Sequence, residues 1–250
     1  MPNALVTVDC GNSTIDCLRH DDGMRLVMPS ASLGARAAEA LVEFFRGHLC
    51  LAASVVLGSF EPVDRAASAA GSDLLWLRRP SIRLLPVSYN PIASLGIDRW
   101  LAAYGAYCAH GACVVVDCGS ATTVNQVRSD GIFAGGLIGP GLAAMVSGMR
   151  TATPALPSLA VTDVFLKDPE APAESTQSGL EAGLIVAYRG SVDAMVDSYA
   201  EAIEMGARLV LTGGGAAFVS SGLLRSHVMA RDLKHMAMAM VLGNDRTAYT

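Results

Sequence analysis

The chain has 250 residues, of which 52% are hydrophobic and 16% charged, so it can bury a sizeable core. Its 18 Lys and Arg against 23 Asp and Glu give a net charge of −5 with no basic cluster, which argues against a nucleic-acid surface. An anionic ligand would have to be held locally, by backbone N–H groups and a metal. The scattered cysteines lack the CxxC pairs of a zinc site and predict reduced, buried thiols. With no signal-peptide pattern and no apolar run near the ~18 residues of a membrane helix, we expect a cytoplasmic protein without membrane contact.

The sequence repeats itself at an offset of 108 residues. VTVDCG at 6–11 matches VVVDCG at 114–119, and the Asp-Gly pair at 22–23 matches the pair at 130–131. Each copy predicts a strand ending in Asp-x-Gly, a tight turn, a second strand, an Asp-Gly turn and a third strand. We interpret this repeat as a structural duplication.

Further elements alternate between helix and strand along the chain. They are a helix in 31–47, a strand in 51–58, a helix in 100–110, a helix in 140–152, an irregular segment in 154–173, a long helix in 175–206 broken near Gly190, and a strand in 208–212. The pattern predicts an α/β protein made of two similar halves, 1–110 and 111–250. Two such halves facing each other would form a cleft between them.

Three glycine-rich turns follow apolar strands and are typical of phosphate or nucleotide sites. In the first, Gly11 lets the backbone expose its N–H groups, and Asp9 is placed to hold Mg²⁺. The second copy repeats this design around Asp117. The third turn, at 211–215, suits close approach of a flat ligand such as adenosine. Together the three turns favour an actin-like (ribonuclease H-like) nucleotide-binding fold.

Other common catalytic motifs are missing from the sequence. It has no GxxxxGK[ST], GxGxxG, HExxH or GxSxG, which argues against a P-loop kinase, a Rossmann cofactor site, a zinc protease and a serine hydrolase. One constellation remains, Tyr89 followed by Gly96-Ile97-Asp98-Arg99. Asp98 could act as a general base and Arg99 could hold an acidic acceptor. Equally, Asp98 could be only the N-cap of the helix that follows.

Several motifs, in order, resemble the type III pantothenate kinases over roughly residues 5 to 220. They are DCGNST, YNPIASLGIDRW, DCGSATTVNQV, GGLIGPGLAAM, TPALP, STQSGLEAG and LTGGGAAF. The GxDR and GGxIxPG elements are quite specific to this family, whereas the DxG turns are shared with actin-like ATPases generally. The resemblance implies an actin-like fold with a nucleotide cleft, and ATP-dependent phosphorylation of pantothenate to 4'-phosphopantothenate, the first step of coenzyme A biosynthesis.

The resemblance also implies a role for individual residues. Asp98 would be the catalytic base that deprotonates the pantothenate hydroxyl. Asp117 would bind a monovalent cation, K⁺ or NH₄⁺, and Asp9 would bind Mg²⁺. ATP would be bound by Asp9, Cys10, Gly11, Asn12, Ser13, Thr14, Ser120, Gly213 and Gly214. Pantothenate would be bound by Tyr89, Gly96, Ile97, Asp98, Arg99 and Thr176, the last from the partner subunit of a homodimer.

The chain departs from the family pattern at a few positions. Ser120 stands where Thr is usual, which keeps the hydroxyl, and Ser175 stands where Asn is usual before Thr176. Asn125 stands where Asp is usual, which removes a negative charge near the predicted cation site. Two alternatives therefore stay open: an actin-like kinase for another small hydroxylated acid, and a non-catalytic accessory or regulatory protein of the same fold.

Overall fold

The computed structural model describes residues 4–31, 33–55, 60–165 and 168–248. Its strands are β1 (Leu5–Cys10), β2 (Thr14–Arg19), β3 (Arg25–Pro29), β4 (Leu49–Ser54), β5 (Leu74–Leu77), β6 (Cys113–Cys118), β7 (Ala121–Val127), β8 (Phe133–Pro140), β9 (Arg208–Thr212) and β10 (Val228–Met229). Its α-helices are α1 (Ala35–Phe45), α2 (Phe60–Ala70), α3 (Ile97–His110), α4 (Leu142–Ala152), α5 (Val161–Phe165), α6 (Thr176–Asp197), α7 (Ala200–Glu204), α8 (Ala216–Ser220) and α9 (Leu233–Asn244). Among the described residues, no helix is both long enough and apolar enough to cross a membrane.

The strands form two five-stranded sheets with the same internal order. The first runs β3-β2-β1-β4-β5 and the second β8-β7-β6-β9-β10, so each element of one sheet has a counterpart in the other. In the first sheet β1 pairs antiparallel with β2 and parallel with β4, and in the second β6 pairs antiparallel with β7 and parallel with β9. The shared topology confirms the duplication predicted from the repeated Asp-x-Gly motifs.

The chain divides into two compact units. Among the described residues, the first unit comprises those within Met1–Ala109, Gly131–Phe133 and Asp232–Thr250, and the second those within His110–Asp130 and Ala134–Arg231. The first unit therefore includes α9, at the far end of the chain. The predicted halves 1–110 and 111–250 describe the sequence repeat, and they stay a prediction, as does the cleft between them.

Each sheet buries one face against helices of its own unit. Side chains alternate along a strand, so β1 directs Val6, Val8 and Cys10 to a core that includes Leu41 and Phe45 of α1. The second sheet repeats the pattern, with Val114, Val116 and Cys118 of β6 packed in a core that includes Ile185 and Tyr188 of α6. Asp9 and Asp117 consequently point away from these cores, to the opposite faces.

The long helix predicted over 175–206 is interrupted at a different place than expected. The prediction of a break near Gly190 is wrong, because α6 continues through this glycine to Asp197 and α7 begins at Ala200. A glycine inside a helix costs only about 1 kcal/mol. Burial of Tyr188 and Val192 on either side of it outweighs that cost.

The described cysteines are free thiols, as predicted. All are buried except Cys108. Burial raises the pKa of the Cys50 and Cys113 thiols to about 12. These thiols therefore stay protonated at neutral pH, as structural core residues do.

Candidate active site

The first predicted phosphate-binding turn leaves the end of β1. The backbone N–H of Gly11 donates to the carbonyl of Thr14 over 2.9 Å, which closes the turn. The Ser30 hydroxyl donates to the Gly11 carbonyl over 2.7 Å and fixes the turn from outside. Asn12, Ser13 and Thr14 are exposed. The turn thus presents short polar side chains and backbone to solvent, as an anion-binding turn requires.

This turn is one residue longer than its counterpart in the second unit. Cys10 is paired with Ile15 across the first hairpin, whereas Cys118 is paired with Thr122 across the second. The extra residue leaves more backbone N–H groups at the first turn.

Two neighbouring residues before this turn face in opposite directions. Cys10 is fully buried in the core, so its side chain is not available to a ligand. Asp9 lies on the other face with a side chain that is 13% exposed, and its Oδ2 is 2.6 Å from Nζ of Lys234. The carboxylate predicted to hold Mg²⁺ is therefore ion-paired with the C-terminal helix α9.

A polar network connects α9 to the same face of the first sheet. Thr7, which is fully buried, shares hydrogen bonds with Nδ1 of His235 at 2.8 Å and Nε2 of His20 at 2.9 Å. His235 Nε2 also lies 3.6 Å from a carboxylate oxygen of Asp16, which Arg25 binds through Nε at 2.8 Å. Burial opposes ionisation of Asp16, but its interactions with His235 and Arg25 outweigh burial and hold the pKa of this carboxyl well below its ordinary value. The network fixes α9 beside Asp9.

The predicted base, Asp98, lies in the first turn of α3. The helix begins at Ile97, so Asp98 is its second residue and not its N-cap. The carboxylate folds back over Gly96: a Cβ placed on Gly96 would lie 2.5 Å from Asp98 Oδ1. Glycine is thus required at position 96 for this orientation. Near the helix N-terminus the negative charge of Asp98 also interacts favourably with the helix dipole.

The adjacent Arg99 is paired with Tyr89, which the sequence placed in the same constellation. The guanidinium is buried, with the residue 5% exposed, and it donates to the Tyr89 hydroxyl over 3.0 Å. It also lies 5.3 Å from the centroid of the Tyr89 ring and 6.0 Å from that of Phe133. These contacts fix both predicted substrate-binding residues in one place, whereas the Ile97 side chain is buried in the core.

The start of α3 lies at the same edge of the first sheet as the phosphate-binding turn. The Cβ that an alanine would add at Gly96 lies 3.8 Å from Val55 Cγ1. Val55 follows β4 directly, and the last residue of β4, Ser54, is paired with Cys10. The start of α3, which carries Asp98, and the turn after Asp9 therefore lie at the ends of two neighbouring strands, on one edge of the first sheet. This is where parallel strands of an α/β sheet end and where ligands commonly bind.

In the second unit, Asp117 is fixed by the third glycine-rich turn. Asp117 is 9% exposed, and it is paired with Thr212 at the end of β9. Gly213 follows with φ +88°, and a Cβ at this position would lie 2.3 Å from Asp117 Oδ1 and 2.8 Å from the backbone of Cys118. The glycine predicted to contact nucleotide is thus needed first to make room for Asp117. Gly214, in contrast, is exposed, and a Cβ there would meet open space.

The turn around Ser120 is packed against the start of α4. Gly141 N–H donates to the Ser120 carbonyl over 3.2 Å. A Cβ on Gly141 would lie 2.2 Å from the carbonyl oxygen of Gly119, so only glycine fits there. The last glycine of GGLIGPG therefore packs against the second turn and supports its shape.

Asn125, the main departure from the family pattern, is fully buried beside the cation-site candidate. Its amide Nδ2 donates to Thr123 Oγ1 over 3.0 Å. Thr123 is in turn paired with Asp117 between β6 and β7. The three side chains share one face of the sheet because residues two apart along a strand point the same way. A neutral amide, and not a second carboxylate, thus accompanies Asp117.

Thr176 is the first residue of α6 and is exposed. Ser175 caps this helix: its hydroxyl accepts from Ser178 N–H at 3.1 Å, and Ser178 Oγ accepts from Ser175 N–H at 3.1 Å. Serine and asparagine are equally good N-caps, so the change from the usual Asn preserves the position of Thr176. Its predicted approach to a partner subunit stays a prediction.

Comparison with known proteins identifies the family. The sequence model described as type III pantothenate kinase matches residues 5–198. The chain belongs to the type III pantothenate kinase family. A member from Herminiimonas arsenicoxydans is 32% identical over 227 residues, covering 85% of this chain and 87% of that protein. One from Burkholderia cenocepacia is 32% identical over 253 residues, covering 95% and 94%. A member from Halorhodospira halophila is 36% identical over 137 residues, covering 54% of this chain and 52% of that protein.

Solved structures confirm the predicted actin-like fold. A Campylobacter jejuni protein described as a conserved Baf family transcriptional activator matches 97% of this chain and 99% of its own, with a TM-score of 0.61 and 20% identity. Ta0583, an archaeal actin homolog, matches 97% of this chain and 100% of its own, with a TM-score of 0.54 and 12% identity. The pantothenate kinase family member described here is thus a phosphotransferase built on a duplicated actin-like fold.

Two residues that contact predicted site residues were missed in the sequence. Lys234 lies in an apolar segment 225 positions after Asp9, and nothing in DLKHM predicts that it returns to β1. Phe133 was assigned only to a strand, yet its carbonyl accepts from Ser88 N–H at 2.8 Å and its ring lies 6.2 Å from that of Tyr89. Both contacts depend on tertiary structure and carry no local signal.

Proposed function

We propose that this protein transfers the γ-phosphate of ATP to the hydroxyl of pantothenate, giving 4'-phosphopantothenate, the first step of coenzyme A biosynthesis. The observation that carries the proposal is the juxtaposition of Asp98 with the turn after Asp9 at one edge of the first sheet. Family membership supports the choice of acceptor. The hydrogen-bonded pair of buried Arg99 and half-buried Tyr89, next to Asp98, supplies groups suited to an acidic acceptor.

In the reaction, Asp98 accepts the proton of the attacking hydroxyl. The oxygen then forms a bond to the γ-phosphorus, the bond to the β–γ bridging oxygen breaks, and ADP leaves with that electron pair. Positioning and electrostatic stabilisation carry most of phosphoryl transfer, so the base acts on a hydroxyl already held in line. Backbone N–H groups of the turn from Gly11 to Thr14 would hold the phosphates, and Ser120, Gly213 and Gly214 would contact the nucleotide.

The residues near Asp9 fit Mg²⁺. Among the described residues, no cluster of three His, Cys, Asp or Glu side chains could hold a metal ion alone. Mg²⁺ usually binds through one or two carboxylates, waters and the phosphates of the substrate. Asp9, partly exposed beside the phosphate-binding turn, provides one such carboxylate. When bound, the ion would neutralise charge on the phosphates.

Asp117 fits a monovalent cation, K⁺ or NH₄⁺. It is one carboxylate accompanied on its sheet face by the neutral side chains of Thr123 and Asn125. A single negative charge among neutral groups balances one positive charge, whereas a divalent ion would leave one positive charge uncompensated. The neutral Asn125 thus favours a monovalent ion and does not by itself argue against activity.

We also propose a cytoplasmic homodimer in which Thr176 contacts pantothenate bound to the partner subunit. Its exposed position at the start of α6, held by the Ser175 cap, suits a contact with another molecule. The reduced thiols suit the cytoplasm.

The test is a coupled ADP-release assay on Asp98→Asn, with ATP, Mg²⁺ and pantothenate, in K⁺ and again in Na⁺. Loss of a general base typically lowers turnover 10²- to 10⁴-fold, so we expect turnover to fall by about this factor while ADP binding is retained. Glu61→Gln is the matched control, because Glu61 also lies in the first turn of a helix, α2. We expect it to match the wild type.

Three results would contradict the proposal in different ways. Wild-type turnover in Asp98→Asn would show that Asp98 is not the catalytic base. Turnover with another hydroxylated acid but not with pantothenate would replace the acceptor. A wild-type protein that binds no nucleotide would point to the accessory role instead.

A further inference from the structure

The C-terminal helix places a lysine at the proposed phosphate-binding turn. Lys234 Nζ lies 2.6 Å from Asp9 Oδ2, and their side chains are 21% and 13% exposed. The pair is thus close enough to the surface for a ligand to reach it, but too buried to be an ordinary surface ion pair. Anything that contacts Asp9 comes within reach of this ammonium group.

The position of Lys234 is fixed by the residues on both sides of it. His235 shares a hydrogen bond with buried Thr7 at 2.8 Å. Asp232, just before α9, accepts from Arg25 Nη1 at 2.8 Å. On the other side, α9 packs closely on α3: a Cβ at Gly105 would lie 2.8 Å from the Leu233 carbonyl oxygen. These contacts hold the backbone of α9 in place, and the long side chain of Lys234 has rotamers that can turn without moving the helix.

The charges explain why a cation is useful at this place. The chain carries a net charge of −5, and Asp9 by itself would repel the phosphates of a nucleotide at the adjacent turn. The ammonium group of Lys234 cancels this charge in the free protein. Lys234 is one of only two lysines in the sequence, which has 16 arginines. A lysine carries its charge on a compact, mobile group that binds phosphate as a point charge.

We propose that Lys234 is a nucleotide-binding residue, whose ammonium group pairs with Asp9 in the free protein and contacts the terminal phosphates when nucleotide binds. The inference rests on the proposed function, because it takes the turn after Asp9 as the phosphate site. Metal and phosphate would then take over Asp9 and Lys234 respectively. The C-terminal helix would thereby become part of the nucleotide site.

The test compares binding of ADP and of adenosine, by calorimetry on the full chain without acceptor. We expect Lys234→Met to bind ADP roughly tenfold more weakly, a loss of ~1.4 kcal/mol, and adenosine as well as the wild type does. Lys234→Arg should recover much of the ADP affinity, because it keeps the charge. The difference between wild type and Lys234→Met should shrink at high salt, since added ions screen the contact.

Two control variants separate charge at the site from other effects. Arg65→Met removes an exposed cation that pairs with Glu61 on α2, and it should leave both affinities unchanged. Arg25→Met loosens the start of α9 without touching Lys234. Thermal unfolding checks that each variant is folded. If Lys234→Met does not fold, Lys234→Gln takes its place in the comparison.

The outcomes distinguish failure of this inference from failure of the proposed function. If the wild type binds ADP and Lys234→Met binds it equally well, Lys234 has no such role. A parallel loss of ADP and adenosine binding, or an equal loss in Arg25→Met, would show that Lys234 only docks α9. A wild type that binds no ADP would overturn the phosphate site itself, and with it both proposals.

Discussion

Replacing Gly213 by alanine tests whether the third glycine-rich turn exists to accommodate Asp117. The position has φ +88°, where an L-residue costs about 1–2 kcal/mol. The added Cβ would also lie 2.3 Å from Asp117 Oδ1 and 2.8 Å from two backbone atoms of Cys118. The carboxylate can rotate, but the backbone of central strand β6 cannot, and such overpacking typically costs ~1–3 kcal/mol. Together the terms lower the free energy of unfolding by roughly 2–5 kcal/mol.

Thermal unfolding measures this loss directly. For a chain of this size each kcal/mol lowers Tm by about 2–4 °C, so Gly213→Ala should unfold roughly 4–20 °C below the wild type. Gly214→Ala is the matched control in the same turn, because a Cβ there meets nothing within 4 Å. It should change Tm by no more than about 2 °C. Equal Tm values for the two variants would refute the account of how Asp117 is held.

Two more predictions concern the first unit. Gly96→Ala would place a Cβ 2.5 Å from Asp98 Oδ1 and turn the carboxylate away. Turnover should therefore fall at least tenfold, whereas ADP binding should not change. Turnover like that of the wild type would contradict the proposed orientation of the base. Asp16 has a pKa lowered below its ordinary value of 3.8, so its ionised form stabilises the fold above that pH and this contribution is lost as pH falls below it. Urea unfolding at pH 7 and pH 3 should therefore show a larger loss of stability for the wild type than for Asp16→Asn, and equal losses would count against the network with His235 and Arg25.

The duplicated sheets could be predicted because their signals are local. An alternating apolar strand, an Asp-x-Gly turn and an Asp-Gly turn recur in register, and each is decided within a few residues. The same holds for α1 and α3, whose apolar residues recur at helical spacing. The break expected near Gly190 failed for the complementary reason: local propensity favoured it, but burial of Tyr188 and Val192 decided the outcome.

The parts of the site that could not be predicted depend on distant segments. The sequence placed Tyr89 and Arg99 in one constellation, but the ring of Phe133 that contacts both comes from β8. It also marked the glycines of GGLIGPG as a motif without revealing that Gly141 packs on the carbonyl of Gly119. In each case the motif was visible, whereas the partner that explains it was not.

The polar residues of β1 show why the C-terminal helix matters for the site. Thr7 and Asp9 lie on the face opposite the core of α1 and α2, and a fully buried Thr7 needs hydrogen-bond partners there. Helix α9 supplies one to each: His235 to Thr7 and Lys234 to Asp9. Successive residues of α9 thus satisfy alternate residues of β1. The contact that covers Thr7 and Asp9 also brings a positive charge to the proposed phosphate-binding turn, so the surface that holds α9 is also the one to which we assign phosphate binding.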